Sequence, residues 1–237
     1  FVLSGRWRFF WGRWGNAGEV VLEQGDIINI PTGIFRGFEN IGTEYGMIMA
    51  ILGGDDAGGG VHWAPQVIED AAEHGLILGE NGKLYDQKKG QKLPDGIGPM
   101  PVMKSDELAK RPELTTLDVV PNHVARYWDM FSLSDKKPVN VIGENGLLRD
   151  KPGFEVDFIT RGSANEKQKS HKFPSVLMPV RGHWRISWDA DSAVLAPGDT
   201  MSIPADLNHS IVPAVTGEAA LYQIKGNNDP AGHTWKG

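Results

Sequence analysis

The sequence of 237 residues contains no cysteine. Disulfide bridges, thiolate metal sites and a cysteine nucleophile are therefore excluded, and any bound metal must be held by nitrogen or oxygen ligands. The chain also contains no apolar run of about 18 residues, the length that a membrane-spanning helix requires. A surplus of basic residues is missing as well, since the formal net charge is -6. This charge argues against a sequence-independent nucleic-acid binder.

These absences favour a soluble protein whose partner is a small molecule rather than a nucleic acid or a membrane. The first residues show no charged leader before an apolar block, so we expect a cytoplasmic location. Glycine and proline are frequent, at 30 and 15 residues, while 40% of the residues are hydrophobic and 23% are charged. This composition is typical of a globular protein built of short strands and many turns.

One sequence pattern occurs twice, in residues 1–58 and again in residues 178–232. The matched positions are Trp7 and Trp184, Arg8 and Arg185, Trp11 and Trp188, Gly25-Asp26 and Gly198-Asp199, and Pro31 and Pro204. A unit copied twice predicts two similar domains. Apolar and polar residues alternate in RWRFFW and HWRISW, so both copies are predicted to be all-β, with the aromatic residues in the core.

The repeat predicts three segments. We expect residues 1–63 to form the C-terminal part of a first barrel, residues 64–138 a connector, and residues 139–237 a second barrel. A strand predicted at residues 153–160 precedes the second copy and has no counterpart before Phe1. The first barrel is therefore expected to lack about two leading strands. Open sheet edges invite pairing with another chain, so we also predict a homodimer.

The connector is predicted to hold a short helix, a hairpin and a linker. Residues 64–74 have the apolar spacing and end signals of a helix. Asn-Gly pairs lie between apolar runs in residues 76–86 and 140–150, and this arrangement is a strong hairpin signal. Residues 88–113 are rich in proline, glycine and charge, which favours a long surface linker.

Both copies place Gly, Pro and a downstream residue at similar spacings. The first has Gly25, Pro31, Gly33 and Asn40, and the second has Gly198, Pro204 and His209. These spacings resemble the second sequence motif of the cupin superfamily. Where the family has its metal-binding His, the first copy holds Arg36, and the second copy holds His209. The second copy departs from the motif at Asp206 and Pro213, which replace its second Gly and its Asn.

The first cupin motif is matched only in part. With Gly182 at its final Gly, Ser175 falls at the position of the Glu ligand, His171 at the second His and Lys169 at the first His. Two of the four usual ligand positions thus hold imidazoles. In the first copy the corresponding positions would lie before Phe1.

The resemblance implies an all-β bicupin, with two double-stranded β-helix jelly-roll barrels joined by a linker with a short helix. Similar bicupins include gentisate-type and quercetin-type dioxygenases, which cleave aromatic rings with a non-haem metal and oxygen. For this chain the resemblance implies Fe, Mn, Ni or Zn held by His171 and His209, with a small aromatic or hydroxylated acid as substrate. Arg185 would hold the substrate carboxylate. The metal would require a third ligand, and His183 and Asp206 are the candidates for it.

Two alternatives stay open. His171 and His209 can instead line a metal-free pocket, which would make the protein a non-catalytic small-molecule-binding or structural bicupin. Arg36, the other candidate catalytic residue, can clamp a carboxylate or phosphate with its planar guanidinium. It can also simply pair with Glu39 or Glu44 at the mouth of the first barrel.

Overall fold

Short antiparallel strands form wherever apolar and polar residues alternate. The computed structural model describes residues 1–31, 33–52, 62–148 and 153–226. The first unit holds β1 (Val2–Ser4), β2 (Trp7–Trp11), β3 (Gly18–Leu22), β4 (Ile27–Ile28), β5 (Arg36–Asn40) and β6 (Met47–Ile48). The second unit holds β10 (Val139–Ile142), β11 (Phe154–Thr160), β12 (Asn165–Lys169), β13 (Ser175–Arg181), β14 (Trp184–Trp188), β15 (Asp191–Leu195), β16 (Met201–Ile203), β17 (His209–Pro213) and β18 (Ala220–Gly226).

The second unit is a sandwich of two antiparallel sheets. One sheet has the strand order β10-β11-β18-β13-β16, and the other has the order β12-β17-β14-β15. This order is that of a jelly roll, the architecture that cupins use. Along β14, buried Trp184 and Ile186 alternate with exposed Arg185, so one face of the strand enters the core between the sheets. Leu177 and Leu221 enter the same core from the facing sheet.

The first unit repeats part of this arrangement but does not close. β2 pairs with β3 and β5 just as β14 pairs with β15 and β17. β1 pairs with β6 as β13 pairs with β18. Within the described residues, however, β5 and β6 have no counterparts of β12 and β11 beside them. The described residues therefore form one jelly roll and a smaller unit that matches part of it, and the assignment of this unit to a first barrel stays a prediction.

The connector contains more helix than the sequence analysis predicts. The expected helix is α1 (Pro65–Glu73), and the expected hairpin joins β7 (Leu76–Leu78) to β8 (Leu84–Asp86). Three further helices and a strand follow, namely α2 (Ser105–Ala109), α3 (Thr116–His123), β9 (Val124–Ala125) and α4 (Tyr127–Leu133). At the second predicted hairpin, Leu147 N and Leu148 N follow the Asn-Gly turn and donate to Asn140 O and Val141 O of β10, while residues 149–152 lie outside the described residues. Strand β10 also pairs with β11.

Helix α3 packs into the first unit and closes one side of it. Thr115 N donates to the Asp118 carboxylate at 2.8 Å, which fixes the first turn of the helix. Val119 is then buried in the same core as Trp11, whose indole Nε1 donates to Leu114 O at 2.7 Å. The following strand β9 pairs with β4. The residues that follow the predicted linker are thus part of the first core, namely Leu114, Val119, Val120 and Val124.

The two units share a third core. The outer face of the five-stranded sheet contributes Phe158, Met178 and Tyr222, which pack with Leu3 and Ile27 of the first unit. Tyr222 Oη donates to Gly25 O at 2.6 Å across this contact. No helix in the described ranges is long and apolar enough to cross a membrane.

Candidate functional site

A cluster of polar side chains lies inside the second jelly roll. Leu177, Leu221 and Ile159 face the core between the sheets. Side chains two positions away on a strand share its face, so Ser175, Gln223 and Asp157 face the same interior. The interior polar cluster consists of these three residues with Lys225, His171 and His209.

The two histidines meet at one end of the interior. His209 begins β17 and is 2% exposed, while His171 lies in the loop after β12 and is half-buried. Their ring centroids are 5.9 Å apart. Asp206 N donates to His171 O at 2.8 Å, which holds the loop against the start of β17. The structure therefore brings together the two residues that the sequence analysis selects as metal ligands.

A hydrogen bond fixes the tautomer of neutral His209, and burial affects the charge of His171. His209 Nδ1 lies 2.9 Å from Leu207 O, and because a carbonyl oxygen only accepts, Nδ1 carries the proton. In the neutral ring Nε2 is then left as an acceptor. Burial lowers the pKa of His171 below 6.5, and the charge of Lys225 lowers it further, against an opposing effect of Asp157. His171 is thus mainly neutral at neutral pH.

Lys225 is a charged group already paired. Its ammonium lies 2.9 Å from an Asp157 oxygen and 3.1 Å from a Glu155 oxygen. Burial opposes the charged form, but the hydrogen bonds and charges of both carboxylates outweigh it and raise the pKa of Lys225. The interior therefore contains a charged Lys225 that is paired with two carboxylates.

Ser175 and Gln223 complete the cluster. Both are buried, at 3% and 4% exposure, and Gln223 Nε2 donates to Ser175 Oγ at 3.3 Å. Ser175 occupies the position where the cupin motif has its Glu. An amide and a hydroxyl offer more donors and acceptors than this one bond uses.

The other residues selected from the sequence lie elsewhere. Arg185 is exposed on the face of β14 opposite buried Trp184, so it does not line the interior and cannot hold a carboxylate there. His183 and Asp206 are exposed, and Asp206 contributes its backbone N–H rather than its carboxylate. Neither supplies the third ligand that a metal at His171 would need.

Arg36 lies in the first unit, opposite Trp11 in the pairing of β2 and β5. The predicted pairing with an acidic neighbour is wrong for Glu39, whose carboxylate lies 2.8 Å from Arg8 instead. Within the described ranges Arg36 forms no ion pair with Glu44 either, and it is exposed. It remains the open alternative of a residue able to clamp an anion.

The donor set does not fit a metal held in the cupin manner. No group of three or more His, Asp or Glu side chains in the described part of the chain is placed to hold a metal ion. The position of the Glu ligand holds the hydroxyl of Ser175, and the position of the first His holds Lys169, a cation. Two imidazoles alone bind a divalent ion weakly because protons compete for them.

Asp157, Lys225 and Gln223 are the members of the cluster that sequence reasoning missed. Each is a polar residue inside a strand of apolar residues, in GFEVDFIT and ALYQIK. Polar residues on the buried face of a strand are the signal that would have identified them. The cupin motif does not include these positions, so the resemblance predicts no role for them.

No protein-family profile matches the chain, and no curated protein is significantly similar in sequence. Solved structures that are similar in part include a cupin-2 domain protein from Shewanella frigidimarina, with 17% identity, 43% of this chain and 93% of that chain covered, and a TM-score of 0.33. A cupin superfamily protein from Desulfitobacterium hafniense has 18% identity, coverages of 33% and 72%, and a TM-score of 0.30. A DMSP lyase from Ruegeria pomeroyi has 12% identity, coverages of 40% and 49%, and a TM-score of 0.36.

The strand order of the second unit, rather than these partial likenesses, defines the class of the chain. It is an all-β protein with a double-sheet jelly roll, an architecture that cupins share with lectins and viral capsid domains. Fold alone does not fix an activity, so any function must be argued from the interior polar cluster.

Proposed function

We propose that the second jelly roll binds a small hydroxylated molecule in its interior, without a metal and without catalysis. The observation that carries this proposal is the burial of Ser175, His209 and Gln223 beside the Asp157–Lys225 ion pair inside the second jelly roll. Burying polar groups costs free energy unless they are hydrogen-bonded. A ligand that completes their hydrogen bonds would recover that cost.

The chemistry of the cluster favours hydroxyl groups over carboxylates. His209 Nε2 is an acceptor, and Gln223 supplies both an acceptor and a donor, so a hydroxyl group suits both. Lys225 is already matched by two carboxylates. A carboxylate ligand would therefore meet more negative than positive charge there. The resemblance implies a small aromatic or hydroxylated acid as the ligand. This site would recognise the hydroxyl groups of such a molecule rather than its carboxylate.

Binding is tested with the full chain by thermal shift and then by calorimetry. The panel contains phenols, catechols and polyols, each beside its carboxylic acid analogue. We expect the hydroxylated compounds to raise Tm, and His209→Gln and Gln223→Leu to reduce the effect. Arg185→Gln, a change on the exposed face of the same unit, is the matched control and should bind normally. Equal binding by wild type and both interior variants would refute the proposal.

A metal-dependent oxidoreductase of the dioxygenase type is the second candidate, favoured by the approach of His171 and His209 to 5.9 Å between ring centroids. These two residues would be the ligands of the Fe, Mn, Ni or Zn. Elemental analysis of protein purified without added metal separates the candidates. A stoichiometric metal that is lost in His209→Ala would support this candidate against the binding protein.

A further inference from the structure

Lys169 lies at the mouth of the second jelly roll. The mouth is the end of the interior at which His171 and His209 lie. In the pairing of β12 with β17, Lys169 is directly opposite His209. Side chains that are directly opposite in an antiparallel pair share one face of the sheet, so Lys169 leaves β12 on the interior face. Because Lys169 is exposed, its ammonium group lies at the rim of the interior rather than within it.

Lys172 lies beside the same opening. It follows His171 directly in the loop after β12, and it is exposed. Its ammonium group lies 5.9 Å from the ring centroid of Phe173. The loop is held against the start of β17, because Asp206 N donates to His171 O at 2.8 Å. The two lysines therefore flank His171 at one end of the interior.

Neither of these lysines is matched by a carboxylate. Among the residues that the structure describes, Lys169 and Lys172 form no ion pair. The two carboxylates of the interior, Asp157 and Glu155, are both engaged by Lys225. The interior thus holds a paired cation, whereas the mouth holds two cations that a ligand can still match.

The mouth is positively charged although the chain as a whole is acidic. Residues 165–173 contain three lysines and one glutamate, whereas the formal net charge of the protein is -6. Asp206, in the turn that contacts the loop, contributes one opposing carboxylate. Burial has the largest part in lowering the pKa of His171, and the charge of Lys169 lowers it as well. Lys169 is therefore close enough to act on a group that is bound at the mouth.

We propose that the molecule bound by the second jelly roll carries a phosphate group, which Lys169 and Lys172 hold at the mouth while its hydroxyl groups enter the interior. This inference rests on the proposed function and adds the class of ligand, a phosphorylated polyol or sugar. A phosphate monoester carries about 1.5 to 2 negative charges at neutral pH and has three acceptor oxygens, so it can contact two separate ammonium groups. Inside the jelly roll it would meet the carboxylates that pair with Lys225, so the mouth is the end that suits it.

Calorimetry with the full chain tests this inference. The probes are sorbitol, sorbitol 6-phosphate, gluconate and inorganic phosphate. We expect sorbitol 6-phosphate to bind about tenfold or more tightly than sorbitol, and gluconate to lie between them. Because the two lysines are exposed, the gain from phosphate should shrink as the salt concentration rises from about 20 to about 300 mM. The affinity for uncharged sorbitol should not change with salt.

Two variants assign the gain to the mouth. Lys169→Gln combined with Lys172→Gln should abolish the gain from phosphate and leave the affinity for sorbitol unchanged. Both positions are exposed, so these changes leave the core of the jelly roll intact. Lys136→Gln, at an exposed position of the connector, is the matched control and should bind every probe as the unmodified chain does.

The outcomes separate this inference from the proposed function. Sorbitol that binds with no gain from phosphate would overturn the inference alone. A gain that persists in the double lysine variant would do the same, as would gluconate or inorganic phosphate binding as tightly as sorbitol 6-phosphate. If neither sorbitol nor any other uncharged hydroxylated compound binds, the proposed function itself is refuted.

Discussion

At the scale of single residues, the repeat provides two copies of one turn in different surroundings. Asp26 accepts from Glu23 N at 3.0 Å, and Asp199 accepts from Ala196 N at 2.8 Å, so both carboxylates bind the amide three residues earlier. The glycine before each has a positive φ, +89° at Gly25 and +93° at Gly198, a conformation that glycine adopts without strain. This explains why the Gly-Asp pair recurs.

Asp26 has gained further partners that Asp199 lacks. Its carboxylate also accepts from Arg126 Nη1 at 2.9 Å and from Tyr127 N at 2.8 Å, and it is buried. We expect Asp26→Ala to lower the free energy of unfolding by about 3 kcal/mol, because it leaves a buried amide and a guanidinium unmatched. Asp199→Ala, the matched control, should cost about 1 kcal/mol. Urea unfolding of both variants measures the difference, and equal losses would contradict it.

His171 makes the stability of the protein depend on pH. Burial, then the charges of Lys225 and His209, lower its pKa below the 6.5 of the unfolded chain. The unfolded state therefore binds the proton more readily, so this contribution to stability is complete above about pH 6.5 and is lost as the pH falls toward the folded pKa. His171→Gln should reduce the fall in urea midpoint between pH 7.5 and pH 5.5. The exposed His183→Gln is the control, and an unchanged pH dependence in His171→Gln would exclude this role.

At the scale of elements, strands are more predictable than the short helices. Trp184, Arg185 and Ile186 alternate in burial as their sequence indicates, because one face of a two-sided sheet meets the core and the other meets solvent. Helix α3 has only eight residues and contains Pro121, so its sequence pattern is too short and too interrupted to indicate a helix. Its place depends on tertiary contacts with the first core, which no local pattern encodes.

The same contrast applies to the candidate site. The cupin spacing selected His171 and His209, and the structure brings these two residues together, since motif positions are fixed by local strand and turn geometry. Arg185 is not part of that spacing, and it lies on the exposed side of β14, opposite the interior. The spacing could not indicate Asp157 and Lys225, which meet only when β11 and β18 pair. Contacts between distant strands therefore had to come from the structure.

Helix α3 should stabilise the first unit through one buried side chain. Val119 is 1% exposed in the core with Trp11, while Leu117, two residues earlier, is 83% exposed. Val119→Ala should lower the free energy of unfolding by about 2 kcal/mol through the cavity that it leaves. Leu117→Ala should change it by less than about 0.5 kcal/mol. Chemical denaturation followed by tryptophan fluorescence checks both values, and similar effects would show that α3 does not pack as described.

At the scale of the whole molecule, the core between the units makes them interdependent. The sheets of the first unit have only two or three strands in the described residues, and Leu3 and Ile27 are buried in the core that includes the outer face of the second unit's five-stranded sheet. Small sheets of two or three strands are marginal without such packing. We therefore expect the two units to unfold together, so that far-ultraviolet circular dichroism and tryptophan fluorescence give one coincident transition.

Tyr222 is the residue through which this coupling is best measured. Its buried hydroxyl donates to Gly25 O, and Tyr222→Phe leaves that carbonyl without this partner while it preserves the ring contact with Phe1 at 5.0 Å between centroids. We expect Tyr222→Phe to lower the free energy of unfolding by about 1–3 kcal/mol. Tyr45→Phe, at an 82% exposed position, is the control and should have no measurable effect. Because the lost bond joins the two units, the unfolding midpoint of Tyr222→Phe should shift by the same amount in circular dichroism and in tryptophan fluorescence. A midpoint shift in only one of these measurements would mean that the units unfold separately.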